Sequence, residues 1–227
     1  MPAGHACRAE PDLQFFTLEV KLNTGFFWVF KMRNLFFMLL AILLGVSLAG
    51  CEKPTLPSPF HANDVSGMFP QADFHLTDHN GKPRALADFH GKVVALFFGY
   101  THCPDVCPTT LADLAQAMQK LGKDADKVQV LFITVDPERD KPEMMEKYVP
   151  AFHPSFLGLY GDTQATAQAA KAFYVGYEKR PTSSGYNMDH TTGTFLIDPK
   201  GKVRLRASFG QSSDWLAEDI RLLLAGV

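Results

Sequence analysis

The sequence predicts a mixed α/β sheet covered by helices on both faces. Two apolar runs, "KVVALFFGY" and "VQVLFITVD", fit strands buried on both sides. A helix-periodic segment lies between them, and strand, helix, strand in that order is a parallel crossover unit. Further on, "TGTFLIDPKGKVRLRA" reads as a hairpin about a "DPKG" turn and adds antiparallel strands.

The elements follow in order from about Phe69. "DFHLTD" is a short strand and "HNGKP" a turn. The run "KVVALFFGY" is bounded by Gly91 and Gly99. "TTLADLAQAMQKLG" carries Leu111, Leu114, Ala115, Met118 and Leu121 at helical spacing and stops at Gly122. After "VQVLFITVD", "KPEMMEKYV" is a short helix and "FLGLYG" an extended piece. "DTQATAQAAKAFYV" is an Ala-rich helix with Asp162 at its N-cap. "RPTSSGYN" reads as a loop before the late hairpin. "SDWLAEDIRLLLAG" is a closing helix expected to bury Trp215, Leu216, Ile220, Leu223 and Leu224.

Ahead of this domain lies an address. From Met32 the chain reads "MRNLFFMLLAILLGVSLAGC". Arg33 supplies a positive start, and the apolar run Leu35 to Val46 is short for a membrane span. Leu48-Ala49-Gly50-Cys51 looks like a bacterial lipobox, which implies cleavage before Cys51 and lipidation of its sulfur. The expected organisation is therefore an over-extended start over 1–31, a lipoprotein signal peptide over 32–50, a lipid anchor and linker over 51–68, and the folded domain over 69–227. The expected location is exported, lipid-anchored to the bacterial membrane and facing the periplasm or extracytoplasmic space. Two rivals are an uncleaved anchor and a longer one that includes "GFFWVFK". Glu52 after Cys51 leaves open which membrane holds the lipid. A formal net charge of −2 and the lack of a basic tract give no footing for nucleic acid.

With Cys7 upstream and Cys51 in the address, the domain keeps only Cys103 and Cys107, in "CPDVC". They occupy the turn between a strand and a helix that starts near Pro108, at the sheet edge where open α/β sheets bind ligands. Free amides at a helix start lower thiol pKa, so both sulfurs are expected as thiolates near neutral pH. A spacing of four can aim both at one external point, which suits capture of a soft metal. It can also allow a structural disulfide. Of the histidines, His61, His75, His79 and His90 are expected to be largely solvated. His102 adjoins Cys103, but its ring is expected to diverge from that sulfur. His190 sits just before a strand.

Three stretches, "FGYTHCPDVCPTTL", "VDPERDKPE" and "DHTTGTFLIDPKGKV", together resemble the Sco/SenC proteins, which assemble cytochrome c oxidase. The resemblance runs from about Phe69 to the C-terminus. It implies a thioredoxin-like fold, copper as Cu(I) or Cu(II), and a metal site of Cys103, Cys107 and His190. It also implies delivery to the binuclear copper centre of an oxidase subunit. Thioredoxin-like proteins carry a proline near the position of Thr192, and this chain has none there, which leans from disulfide reduction towards metal capture. Asp189 could add a fourth ligand, so the residues alone leave zinc open. Asp136 is read as a turn or helix cap, with support of the site as the sharper option. Met188 is a weak candidate ligand, and Met144 and Met145 fit helix packing.

The expected function is a metallochaperone, acting as a monomer, whose partners are the copper-accepting oxidase subunit and a thioredoxin-like reductant. The alternative is a thiol–disulfide reductase in which Cys103 attacks and Cys107 resolves. A peroxidase-like thiol enzyme is weaker, because no arginine stands beside the motif.

Overall fold

The structure, a computed structural model, describes residues 31–39 and 58–227. Residues 31–39 form a helix, α1, with Met32, Leu35, Phe36, Phe37, Met38 and Leu39 exposed. Among the described residues no helix is long and apolar enough to cross a membrane. Most of the expected signal, Cys51 included, lies outside the described residues.

Residues 58–227 belong to one compact unit built on an eight-stranded sheet. Its strands, in spatial order, are β1 (Asn63–Asp64), β10 (Val203–Ala207), β9 (Thr194–Ile197), β4 (Val93–Gly99), β5 (Val128–Thr134), β6 (Leu157–Tyr160), β2 (His75–Asp78) and β3 (Pro83–Ala85). The central β4, β5 and β6 run parallel, and every other pairing is antiparallel. All seven residues of β4 and all seven of β5 are buried, as their mainly apolar runs require. Successive side chains point to opposite faces. Phe97 therefore meets Phe132 on one side while Phe98 meets Phe173 and Phe195 on the other.

Helices α2 (Val106–Leu121), α3 (Pro142–Tyr148), α4 (Thr163–Ala172) and α5 (Ser213–Leu224) flank this sheet. The first and last pack on each other, joined at their ends by Lys120–Asp214 and by Arg221 donating to the Lys120 carbonyl. Asp162 caps α4 as expected, accepting from the Ala165 amide at 2.7 Å.

Three features depart from the sequence reading. "RPTSSGYN" is not a loop. It spans a two-stranded ribbon, β7 (Tyr177–Thr182) and β8 (Gly185–His190), that pairs with no other strand among the described residues. Its residues are mostly polar and exposed, so no apolar alternation marks it. Trp215 is half exposed, because its indole stacks on the His61 ring at 4.9 Å instead of entering the core. Part of the stretch read as linker is docked on the sheet. Asn63 and Asp64 pair with β10, and the buried Asp219 carboxylate accepts from the amides of His61 and Ala62 at 2.8 and 2.9 Å.

Candidate metal centre

Strand β4 ends at Gly99, and the chain then makes a turn closed by the Cys103 amide on the Tyr100 carbonyl at 3.2 Å. Helix α2 starts at Val106, two residues earlier than expected. Pro108 is thus the third helical residue, where its missing N–H is still one that no helical carbonyl would have satisfied. Cys107 lies in the first turn of α2, completely buried, and packs against the end of β4. A Cβ on Gly99 would stand 2.9 Å from its sulfur, so glycine is required there for the close approach. Cys103 precedes the helix and is partly exposed. Its sulfur takes the place of a capping oxygen, accepting from the Cys107 amide at 3.4 Å.

Both cysteines are free thiols. They are not equivalent, contrary to the expectation of two thiolates. Hydrogen bonding from the Cys107 thiol, helped by the Asp105 and Cys107 amides, outweighs burial and lowers the Cys103 pKa to about 5. Cys107 is pushed well up, first by holding that proton for Cys103 and then by burial. At neutral pH the pair is one thiolate and one thiol sharing a proton.

His190 ends β8 and reaches the same point. Its Nε2 lies 3.9 Å from Cys107 Sγ. Its Nδ1 is 3.1 Å from the Thr191 carbonyl oxygen. A carbonyl only accepts, so Nδ1 carries the proton and Nε2 presents a lone pair towards the sulfur. The rings of Tyr100 and Phe97 meet the imidazole edge-on at 6.0 and 6.3 Å. Burial raises the Tyr100 hydroxyl pKa, and the two neighbouring sulfurs raise it further. Cys103 and His190 line an open cleft of about 310 Å³, together with Tyr100, Val106, Met188 and Thr192.

Among the described residues no group of three or more His, Cys, Asp or Glu side chains is arranged to hold a metal ion as it stands. The Cys107–His190 separation is nonetheless the right size for one. A metal bonded to sulfur at about 2.3 Å and to nitrogen at about 2.05 Å, at a trigonal angle, leaves those donors about 3.8 Å apart.

The other expected site residues divide. Asp189 is exposed, lines the same cleft, and is bonded to Arg180 Nε at 2.9 Å, so its carboxylate is already engaged by a cation. Met188 is buried in the domain. Met145 packs in the core as expected, but Met144 is exposed. Asp136 is buried and opens the turn after β5, its carbonyl accepting from the Arg139 and Asp140 amides at 3.2 and 3.0 Å, but it does not cap α3, whose N-cap is Lys141. Its carboxylate instead accepts from Arg139 Nε and from the Tyr186 hydroxyl, the latter at 2.9 Å. Arg139 also lies over the Tyr186 ring at 3.7 Å and donates to the Tyr186 carbonyl. The ribbon that carries His190 is thereby fastened just beyond the end of β5. Asp140 went unnoticed in the sequence. It is buried and accepts from the Thr101 amide, the Thr101 hydroxyl and the Thr134 hydroxyl at 3.0, 2.6 and 2.6 Å, fixing the turn that leads to Cys103. A second acid four residues after Asp136, just past a buried strand, was the available signal.

The family pattern described as SCO1/SenC matches residues 66–225. This chain belongs to the SCO1/SenC family. Among its relatives, the mitochondrial SCO2 homolog of Mus musculus is 42% identical over 159 residues, covering 68% of this chain and 62% of that protein. The mitochondrial SCO2 homolog of Homo sapiens is 41% identical, with 68% and 60% covered. The chain thus spans about three fifths of the length of these curated relatives. The structure of Bradyrhizobium japonicum ScoI, solved with copper bound, matches with a TM-score of 0.63 and 41% identity over 67% of this chain and 98% of that one. The fold is thioredoxin-like, as the Sco resemblance implied.

These relatives overturn one expectation. The SCO2 homologs are mitochondrial proteins, so the expected location, lipid-anchored to a bacterial membrane and facing the periplasm, is withdrawn. The physical reason is that a short apolar run led by one positive charge marks a segment for membrane targeting without saying which membrane.

Proposed function

We propose that this SCO1/SenC domain is a copper metallochaperone. It binds copper through Cys103, Cys107 and His190 and delivers it to the binuclear copper centre of cytochrome c oxidase. The observation that carries this reading is the 3.9 Å approach of an unprotonated His190 Nε2 to Cys107 Sγ. Two sulfurs and one imidazole form a donor set suited to copper. Cys103 supplies the third bond by turning off the Cys107 amide, and Cys107 gives up its proton when the ion arrives. Copper bound in the B. japonicum relative supports the choice of metal. The oxidase as destination rests on the family resemblance. A three-donor site at an open cleft lets an acceptor's thiolates replace the ligands one at a time. All three donors come from one chain, so a monomer suffices. The pair binds copper only while reduced, which calls for a thioredoxin-like reductant.

The unequal thiols favour a second reading, thiol–disulfide reductase. The Cys103 thiolate attacks an acceptor disulfide and releases one thiolate. Cys107 then loses its proton, attacks the Cys103 sulfur and releases the second, so two electrons pass to the acceptor.

Anaerobic copper titration of the reduced protein, with thiols counted before and after, separates the two. One copper per chain with Cys103 and Cys107 protected from thiol reagents is expected. His190→Ala should lower copper affinity at least about tenfold while leaving most dithiol exchange intact. Undiminished copper retention in His190→Ala, with exchange activity lost, overturns the metal reading.

A further inference from the structure

The turn that delivers Cys103 presents a second imidazole, and its proton can be placed by counting. Thr101 Oγ1 is 2.6 Å from Asp140 Oδ1 and 3.1 Å from His102 Nδ1. A hydroxyl has one proton, and a carboxylate only accepts. The Thr101 proton therefore goes to Asp140, and Thr101 Oγ1 accepts from His102. Nδ1 of His102 carries its proton, and Asp140 Oδ1 lies 3.6 Å from that nitrogen. Nε2 is left with a free lone pair, and nothing among the described residues bonds to it. The side chain is 45% exposed. A histidine whose far nitrogen is held by a carboxylate, directly or through a hydroxyl, is oriented as metal-binding histidines are.

The backbone around the ring is also not the extended loop that the sequence suggested. Tyr100–Cys103 is a closed turn, not an extended strand, and His102 is its third residue, bonded to the partly exposed thiolate residue. The ring does not line the cleft shared with His190. It is carried by the residue next to Cys103 and is partly open to solvent.

We propose that His102 is the first-contact ligand for incoming copper and the last on departure: Nε2 and the Cys103 sulfur take the ion at the surface, and it then passes to Cys107 and His190. This rests on the copper reading above. The exchange moves no electrons. Cu(I) leaves its carrier's donors for His102 and Cys103, and the Cys107 proton passes to buffer as that sulfur bonds and His102 lets go. Two histidines with the same tautomer would thus flank the dithiol, one for transit and one for retention.

The test uses the full chain with Cys7 and Cys51 changed to Ser, anaerobic, with Cu(I)–bicinchoninate as the copper source in stopped flow. His102→Asn keeps a donor for Thr101 but lacks the outer nitrogen, and His102→Ala removes both. Both should slow loading and unloading about tenfold, with the final copper-to-protein ratio unchanged, and added imidazole should restore the rate of His102→Ala. Loading of His102→Asn within twofold of the parent overturns the proposal even if His102→Ala misfolds. A loss of copper stoichiometry in His102→Asn also overturns it, because the residue then belongs to the resting site. If the parent itself takes up no copper, the copper reading fails first and this inference falls with it.

Discussion

The Tyr186 hydroxyl donates to Asp136 Oδ1 at 2.9 Å, and this bond ties the strand that ends in His190 to the segment leaving β5. A hydrogen bond to a charged partner is worth about 1.5–3 kcal/mol. Tyr186→Phe removes it while keeping the ring under Arg139. Amide exchange along β8 should quicken and copper affinity should fall roughly tenfold, with the main sheet as protected as before. Unchanged exchange at Met188–His190 would falsify the anchoring role.

The Cys103 thiolate depends on the Cys107 proton. Alkylation of the Cys103 peptide, followed by mass spectrometry across pH, should show a midpoint near 5. In Cys107→Ala the donor is gone, and the midpoint should climb towards the ordinary thiol range of about 8.5. Cys107→Ser retains an O–H donor and should fall between. A midpoint in Cys107→Ala equal to that of the parent removes the shared-proton account.

Histidine 79 links stability to pH. It is buried, and its Nδ1 accepts from the Gly158 amide at 3.0 Å, which requires that nitrogen to be unprotonated. Burial holds its pKa below the usual histidine value, against the pull of Asp78 and Glu146. The unfolded chain therefore takes up this proton first. Stability from His79 is complete above about pH 6.5 and is lost as pH falls from there through the folded value. Thermal melts of His79→Gln should show a shallower decline between neutral and mildly acidic pH than the parent. Parallel melting curves count against this linkage.

The Asp219 carboxylate holds the strap at His61 and Ala62 and also accepts from Gln211 at 3.1 Å. Asp219→Ala leaves those amides without a partner and should cost about 3 kcal/mol in denaturant unfolding. Limited proteolysis should then cut near residues 58–65. Resistance equal to that of the parent means the strap is held by its other contacts, the β1 pairing, the His61–Glu218 bond and the His61–Trp215 stack among them.

The centre of the sheet was legible because β4 and β5 are buried on both faces, and burial writes itself into the sequence as mainly apolar runs. Cys103 and Cys107 could be placed for the same reason, since β4 delivers them. What could not be read was held by polar contacts between distant residues. Nothing in "RPTSSGYN" alternates, so the ribbon under His190 looked like a loop, and its fastening depends on Asp136, Arg139 and Tyr186, which lie about 50 positions apart at the extremes. Trp215 sits at a helical position that fits the buried stripe, yet it emerges because His61, far away in sequence, offers it a flat partner. The unequal thiols were hidden as well: Cys107 turns inward over Gly99 while Cys103 stays at the rim, a difference that spacing does not encode.

Among the described strands β7 and β8 pair only with each other, so the arm bearing His190 is joined to the eight-stranded scaffold by side chains and not by a ladder of backbone bonds. Changes at the exposed positions of that arm, away from Tyr186 and Met188, can therefore alter the setting of His190 while leaving the melting of the body in place. A lineage, or a designer, could retune one at little risk to the other.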